Sequence, residues 1–414
     1  MAGHSPRACP SQAARRAGIT RVVVLFELML ALFLLVTALC WYGAFRWRRR
    51  RLYELAARVP GTPELPLVGH AHKVSGNSEV MTDPVDTQFI LKTCLEKDDL
   101  HRFMRTIIGY GGVFAPVSIW RRRRKIMVPT FSPRILEQFV EIFAEQSDVL
   151  SRRLAAQSDG APLSAWPLIS AYTLDSVCDM NLYERKSFLD LLIKQSGGTK
   201  GYSNIELREE VMTLIVAGTD TTALVLGFTL TLLAKYPDIQ ERIYRELCDV
   251  FGKSERQLEK EDLPKLIYTE RVIKESLRLF PPGPFVARKI EEETILPSGR
   301  TLPAGAGVIV SLWGVLRDPS HWGPDADHFD PDRFLPERFG QQHACSYIPF
   351  SSGPRNCVGY QYAMMSLKTA LATVLRRCRV VGEPEKGPVP QIDVKMEIMM
   401  KPVNDFQLQF AKRV

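Results

Sequence analysis

Apolar and polar positions alternate along this chain with helical periods over several stretches, and two long runs break the period by being mainly apolar. The first, Val22 to Phe45, is 24 residues long with a single charge at Glu27, enough to span a bilayer of about 30 Å as a helix. The second, Val211 to Leu233, passes the same length test. Its centre, Ala217-Gly-Thr-Asp-Thr-Thr222, carries one acid and three hydroxyls. Such a stretch suits a helix buried in a large protein and lining a cavity.

The remaining patterns predict ordinary scaffolding. A helix is expected around Ile135 to Leu150, and another over Tyr236 to Phe251, where Ile239, Ile243, Leu247 and Val250 share a face before Gly252 closes it. The helix carrying Glu275-Ser-Leu-Arg278 stops at Leu279-Phe-Pro-Pro282. A last helix follows Gly359, with Met364, Leu367, Leu371, Val374, Leu375 and Cys378 at helical spacing. Asp83 to Gly111 reads as short mixed helices, and Met396 to Phe410 as a weak hairpin turning at Asn404-Asp405 and edging a chamber. Three prolines between Val59 and Gly69 stiffen an extended linker.

Composition is that of a folded protein, 45% hydrophobic and 24% charged. The net charge of +8 comes from two short runs, Arg46 with Arg48 to Arg51, and Arg121 to Lys125. Without those ten, 44 basic residues face 46 acidic ones, which excludes a broad nucleic-acid footprint. The first run directly follows the apolar segment, so Val22 to Phe45 is expected to be an uncleaved anchor with its C-terminal side cytosolic. Trp41, Tyr42 and Trp47 stand where an interfacial belt belongs. Arg7, Arg15, Arg16 and Arg21, with no acid nearby, taken alone would pass for a mitochondrial transit peptide. The second run reads as a solvated basic face at Arg121, Arg122, Arg123 and Lys125, whereas Trp120 and Arg124 share a helical face and could converge on one carboxylate.

Eight cysteines show no metal-type pairing, and seven read as small hydrophobes. Cys357 differs. It lies in Phe350-Ser-Ser-Gly353-Pro-Arg355-Asn-Cys357-Val-Gly359, just before a helix N-terminus, where the dipole and the Arg355 charge favour a thiolate. Gly353 and Gly359 let backbone approach a flat ligand. Along the other apolar helix, Gly218 leaves room for such a ligand, and Thr221 can return its hydroxyl to the Ala217 carbonyl beside the Asp220 acid.

The Phe-x-x-Gly-x-Arg-x-Cys-x-Gly spacing resembles the haem-binding loop of the cytochrome P450 family, with all five fixed positions present. Trp120-x-x-x-Arg124 is also similar to a family motif, and the Ala217 to Thr222 helix, Glu275-x-x-Arg278, Phe329-Asp-Pro-Asp-Arg333-Phe and the cysteine loop follow one another in the family's order. The Phe329 to Phe334 stretch most resembles the microsomal family-four group. The resemblance implies a mostly α fold with small β-sheets and haem b held by the Cys357 thiolate. Trp120, Arg124, Arg288 and Arg355 would contact the haem carboxylates, and Ala217, Gly218, Phe350, Gly353 and Gly359 would flank the ring. Asp220 and Thr221 would serve the oxygen side. A buried Glu275, Arg278 and Arg333 cluster would brace the loop, Arg333 being preferred to Arg338 of Pro336-Glu-Arg-Phe. Ala217 stands where many family-four relatives carry the Glu that esterifies haem, so the haem is expected to be non-covalent.

The same resemblance implies a monooxygenase placing one atom of O2 in an apolar substrate (fatty acid, hormone-like lipid or xenobiotic). Electrons would come from NADPH through cytochrome P450 reductase, with cytochrome b5 as an optional donor. The expected layout is a basic segment over 1–21, the anchor over 22–45, a linker over 46–75 and a catalytic domain over 76–414, at the endoplasmic reticulum membrane or, alternatively, the mitochondrial inner membrane. One departure stands out: Tyr172 to Met180 runs straight into Asn181 and Lys186, where the family has its long lid helices. The alternatives are therefore a truncated, non-catalytic haem-protein remnant, or a thiolate isomerase or dehydratase that needs no reductase.

Overall fold

The computed structural model describes residues 81–98, 102–157, 161–178, 188–195, 201–340 and 342–413, with scattered positions between 29 and 47. Among those scattered positions Met29, Leu32, Phe33, Leu34 and Trp41 are exposed, and the stretch from Leu32 to Ala44 is apolar and helical where described. The rest of the expected anchor, the Pro-rich linker and the Met180-Asn181 junction lie outside the described residues.

The main body is built on helices α1 (Pro84–Thr93), α2 (Arg102–Ile108), α3 (Val117–Met127), α4 (Phe139–Ala156), α5 (Trp166–Cys178), α6 (Phe188–Gln195), α7 (Asn204–Lys235), α8 (Pro237–Phe251), α9 (Ile267–Leu279) and α10 (Tyr360–Arg377). Local chemistry sets their ends. Asp83 caps α1 by accepting from the Val85 and Asp86 amides. Ser203 and Glu206 close a reciprocal capping box on α7, with the Ser203 amide donating to Glu206 Oε2 at 2.9 Å. Gly252 ends α8 at φ +56. The helix expected to start near Ile135 starts at Phe139 instead, because Pro133–Leu136 forms its own turn and the Gln138 and Val140 amides bond three residues back.

Helix α7 is the spine. From Thr222 to Leu230 every residue is buried, so this apolar stretch packs in the core. Phe228 stacks on Phe280 with centroids 4.8 Å apart and meets Phe406 edge-on at 5.2 Å. The N-terminal half is different: Ile205 is 73% and Met212 40% exposed.

The sheets are small and antiparallel. β1 (Leu163–Ser164), β9 (Gln407–Lys412) and β6 (Cys378–Val381) form one, β2 (Phe285–Lys289) pairs β5 (Gly307–Ser311), β3 (Thr294–Ile295) pairs β4 (Thr301–Leu302), and β7 (Val394–Met396) pairs β8 (Met400–Pro402). The C-terminal hairpin is thus not the one expected. Its turn is Glu397 to Met399, and the chain after Asp405 (φ +60) joins β6 and β1, because Leu408 and Phe410 are drawn into the core.

Candidate active site

A cavity of about 500 Å³ lies between α7 and the loop before α10. Ala217, Gly218, Asp220, Thr221 and Thr222 line it from α7, and Phe350, Arg355, Cys357 and Gly359 from the opposite side. Trp120 and Arg124 enter from α3, Arg288 from β2, and the Glu397 to Met399 turn closes another edge.

The cysteine loop is pinned by its own backbone, with the Cys357 amide donating to Phe350 O at 2.9 Å and the Asn356 amide to Gly353 O at 3.0 Å. Gly353 has φ +73, and a Cβ there would overlap the Leu91 carbonyl oxygen. Its glycine therefore serves the packing of the loop on α1, and Gly353 does not line the cavity. Gly359 caps α10, and a Cβ there would stand 3.9 Å from Cys357 Sγ. Cys357 is exposed toward the cavity but ringed by protein elsewhere. Burial pushes its thiol pKa up, and the Gly359 amide and the Arg124 charge pull it down by less. The helix terminus and the neighbouring arginine do not by themselves secure the expected thiolate. A cation facing Sγ would.

At one side of the cavity sit buried cations with unused donors. Arg288 is fully buried, donates Nη1 to Ala287 O at 3.1 Å, and leaves Nε and Nη2 without partners. Arg355 donates Nη2 to Ala115 O at 2.8 Å, stacks 4.4 Å over Trp120, and leaves Nε and Nη1 unpaired. Burial lowers both guanidinium pKa values to about 10. Lys97 joins them; burial, then Arg288 and Arg355, push its pKa well down. Unpaired buried charge is costly, so this cluster fits an anionic ligand with several oxygens. Arg124 is placed differently, with Nη2 donating to Asn356 Oδ1 at 2.8 Å beside Cys357. Trp120 and Arg124 thus hold Arg355 and Asn356 respectively. Of the presumed solvated face, Arg123 is only 4% exposed, because acids of α7 enclose it. Neither Lys97 nor Asn356 is marked in the sequence: a lone lysine in a patternless stretch and an unfixed position between Arg355 and Cys357 carry no periodic signal.

On α7, Thr221 Oγ1 donates to Ala217 O at 2.6 Å. A Cβ on Gly218 would come within 2.9 Å of Val177 Cγ2, so this glycine lets α5 approach α7. Behind the cysteine loop, Arg278 clamps Glu275 with two bonds of 2.6 and 2.8 Å, both side chains fully buried. Arg333 Nε stands 3.5 Å from Glu275 Oε1, while Arg338 points to Asp330 at 2.8 Å. The structure thus brings Arg333 to the pair and leaves Arg338 outside it.

A flat apolar wall, a cysteine facing inward and carboxylate-seeking cations together suit haem, and the comparisons with known proteins agree. The family described as Cytochrome P450 matches residues 80–186 and 179–410, two segments that overlap at 179–186. Cytochrome P450 4V2 of Homo sapiens is 28% identical, over 77% of each chain. Probable cytochrome P450 4s3 of Drosophila melanogaster is 29% identical, over 81% of this chain and 83% of its own. Cytochrome P450 4c3 of the same fly is 26% identical, over 93% and 95%, in an alignment of 511 positions that is longer than this chain. In fold, a crystal structure of a mutant cytochrome P450DA heme domain superposes with TM-score 0.74 at 21% identity, covering 86% of this chain and 97% of that one. With the family model matching most of its length and the fold superposing on a solved member, the chain belongs to the cytochrome P450 family.

Proposed function

We propose that this chain is a haem-thiolate monooxygenase of the endoplasmic reticulum membrane, acting on an apolar substrate with electrons from NADPH through a flavoprotein reductase. The observation that carries this reading is one cavity holding Cys357, the Thr221 face of α7 and the unpaired donors of Arg288 and Arg355. Cys357 is the iron ligand, and Arg288, Arg355 and Lys97 take the carboxylate arms. Bound haem supplies the O2 and redox chemistry. The chain's own groups do the rest. Val113, Phe114, Val216 and Phe285 line the cavity and exclude water from an apolar substrate, while Asp220 and the Thr221 hydroxyl pass protons into it. The short interior removes part of the substrate cover, so turnover is expected to be poorly coupled.

The deciding experiment is recombinant expression followed by the reduced carbon monoxide difference spectrum, then reductase-dependent NADPH consumption with peroxide counted against product. A thiolate-type band with NADPH use supports the reading; a haem-free protein ends it. Thr221→Ala is expected to keep that band while raising the peroxide share several-fold, because the hydroxyl no longer relays a proton. Unchanged coupling would remove Thr221 from this role.

A further inference from the structure

One wall of the cavity is held by charge. The loop Gly109-Tyr-Gly-Gly112 links α2 to α3 and leads into Val113 and Phe114, which line the cavity. Gly109 takes φ +70, and a Cβ on Gly111 would overlap Thr213 Oγ1 of α7, so only glycine lets the loop lie this close. The Gly112 amide donates to Glu210 Oε2 at 3.1 Å, and Arg123 Nη1 donates to Tyr110 O at 2.5 Å. The loop is thereby clasped between an acid of α7 and a base of α3.

The charges at the clasp do not balance. Arg123 reaches Glu209 at 2.8 Å, Glu210 at 3.4 Å and Glu206 at 3.5 Å. Arg122 pairs with Glu206 and also donates to Gly201 O at 2.7 Å. The Tyr202 hydroxyl donates to Arg123 O at 2.8 Å, and Arg105 of α2 is committed to Phe114 O at 2.9 Å. Among the described residues two cations thus serve three carboxylates. The surplus falls on Glu210, which is fully buried. A proton on Glu210 makes the cluster neutral; its loss leaves one net negative charge away from water.

We propose that this clasp is a proton-controlled latch, holding Tyr110 to Phe114 against α7 while Glu210 is protonated and releasing that wall of the cavity when Glu210 ionises. Burial, reinforced by Glu209, raises the Glu210 pKa to about 7 against the pull of the Gly112 amide and Arg123. In the open loop water restores an ordinary carboxylate near 4.5. The sign follows: the closed form binds the proton more tightly, so opening grows as pH rises from about 4.5 to about 7 and levels off above.

Hydrogen exchange on the full chain tests this, corrected for the intrinsic pH dependence of exchange. Protection of the peptide spanning 108–116 is expected to fall about thirtyfold between pH 5.5 and 8 in the unmodified protein, while α10 keeps its protection. Glu210→Gln should hold protection constant over that range. Glu209→Gln should move the fall to lower pH by removing the acid beside Glu210, and it keeps the test sharp where Glu210→Gln folds poorly. Protection independent of pH, a fall that persists in Glu210→Gln, or an equal fall in α10 would each overturn the latch.

Discussion

Replacing Cys357 by alanine is expected to abolish the thiolate-type carbon monoxide band completely, the largest change any single substitution in this chain should produce. Among the described cysteines it alone lines the cavity. Cys345 is buried with its sulfur 3.7 Å from Ser352 Oγ, and Cys378 is buried at the start of β6, so neither can take its place. The backbone bonds from the Cys357 and Asn356 amides do not need the sulfur, and the loop should keep its shape. Circular dichroism should therefore match the unmodified protein while the band disappears. A surviving thiolate-type band would mean that the ligand is another residue.

The second large effect is structural. Arg278→Ala would leave the Glu275 carboxylate buried and facing only the Asp330 amide at 3.0 Å and the more distant Arg333. It would also strip the Leu316, Ala326 and His328 carbonyls of the donors that stitch this region together. Breaking a buried pair from one side costs about 3–5 kcal/mol. The melting temperature should fall by about 5 °C. The double change Glu275→Leu with Arg278→Leu should cost less than the two singles together, because it leaves no uncompensated charge. A single substitution that left the melting temperature within a degree would show that the cluster is not the brace proposed for it.

Much of the architecture could be read from local chemistry. The buried stretch of α7 follows from an apolar run with hydroxyls at its centre, though the helix begins seven residues earlier at Asn204, α8 from a clean amphipathic period closed by Gly252, and the end of α9 from two prolines. The cysteine loop was legible because its five fixed positions resemble the family's haem-binding loop. What stayed hidden depends on distant partners. Which strand Leu408 and Phe410 would join is decided by burial against β6 and β1, not by the turn at Asp405. The roles of Gly218 and Gly353 are fixed by Val177 and Leu91, residues 41 and 262 positions away in the chain. Arg123 looked like one member of a solvated run, and only the fold shows three glutamates in the first two turns of α7 closing around it.

The buried cations Lys97, Arg288 and Arg355 also bear on how much of this protein a cell can keep. Among the described residues Glu96 is the carboxylate whose charge reaches Arg355, and it already accepts the Val117 amide at 2.9 Å. Whatever anion fills the gap binds the folded chain and not the unfolded one, so it adds directly to folding stability. Newly made chains short of that ligand would spend more time open and be cleared by proteases. Steady-state abundance would then follow the haem supply of the cell even at constant messenger level.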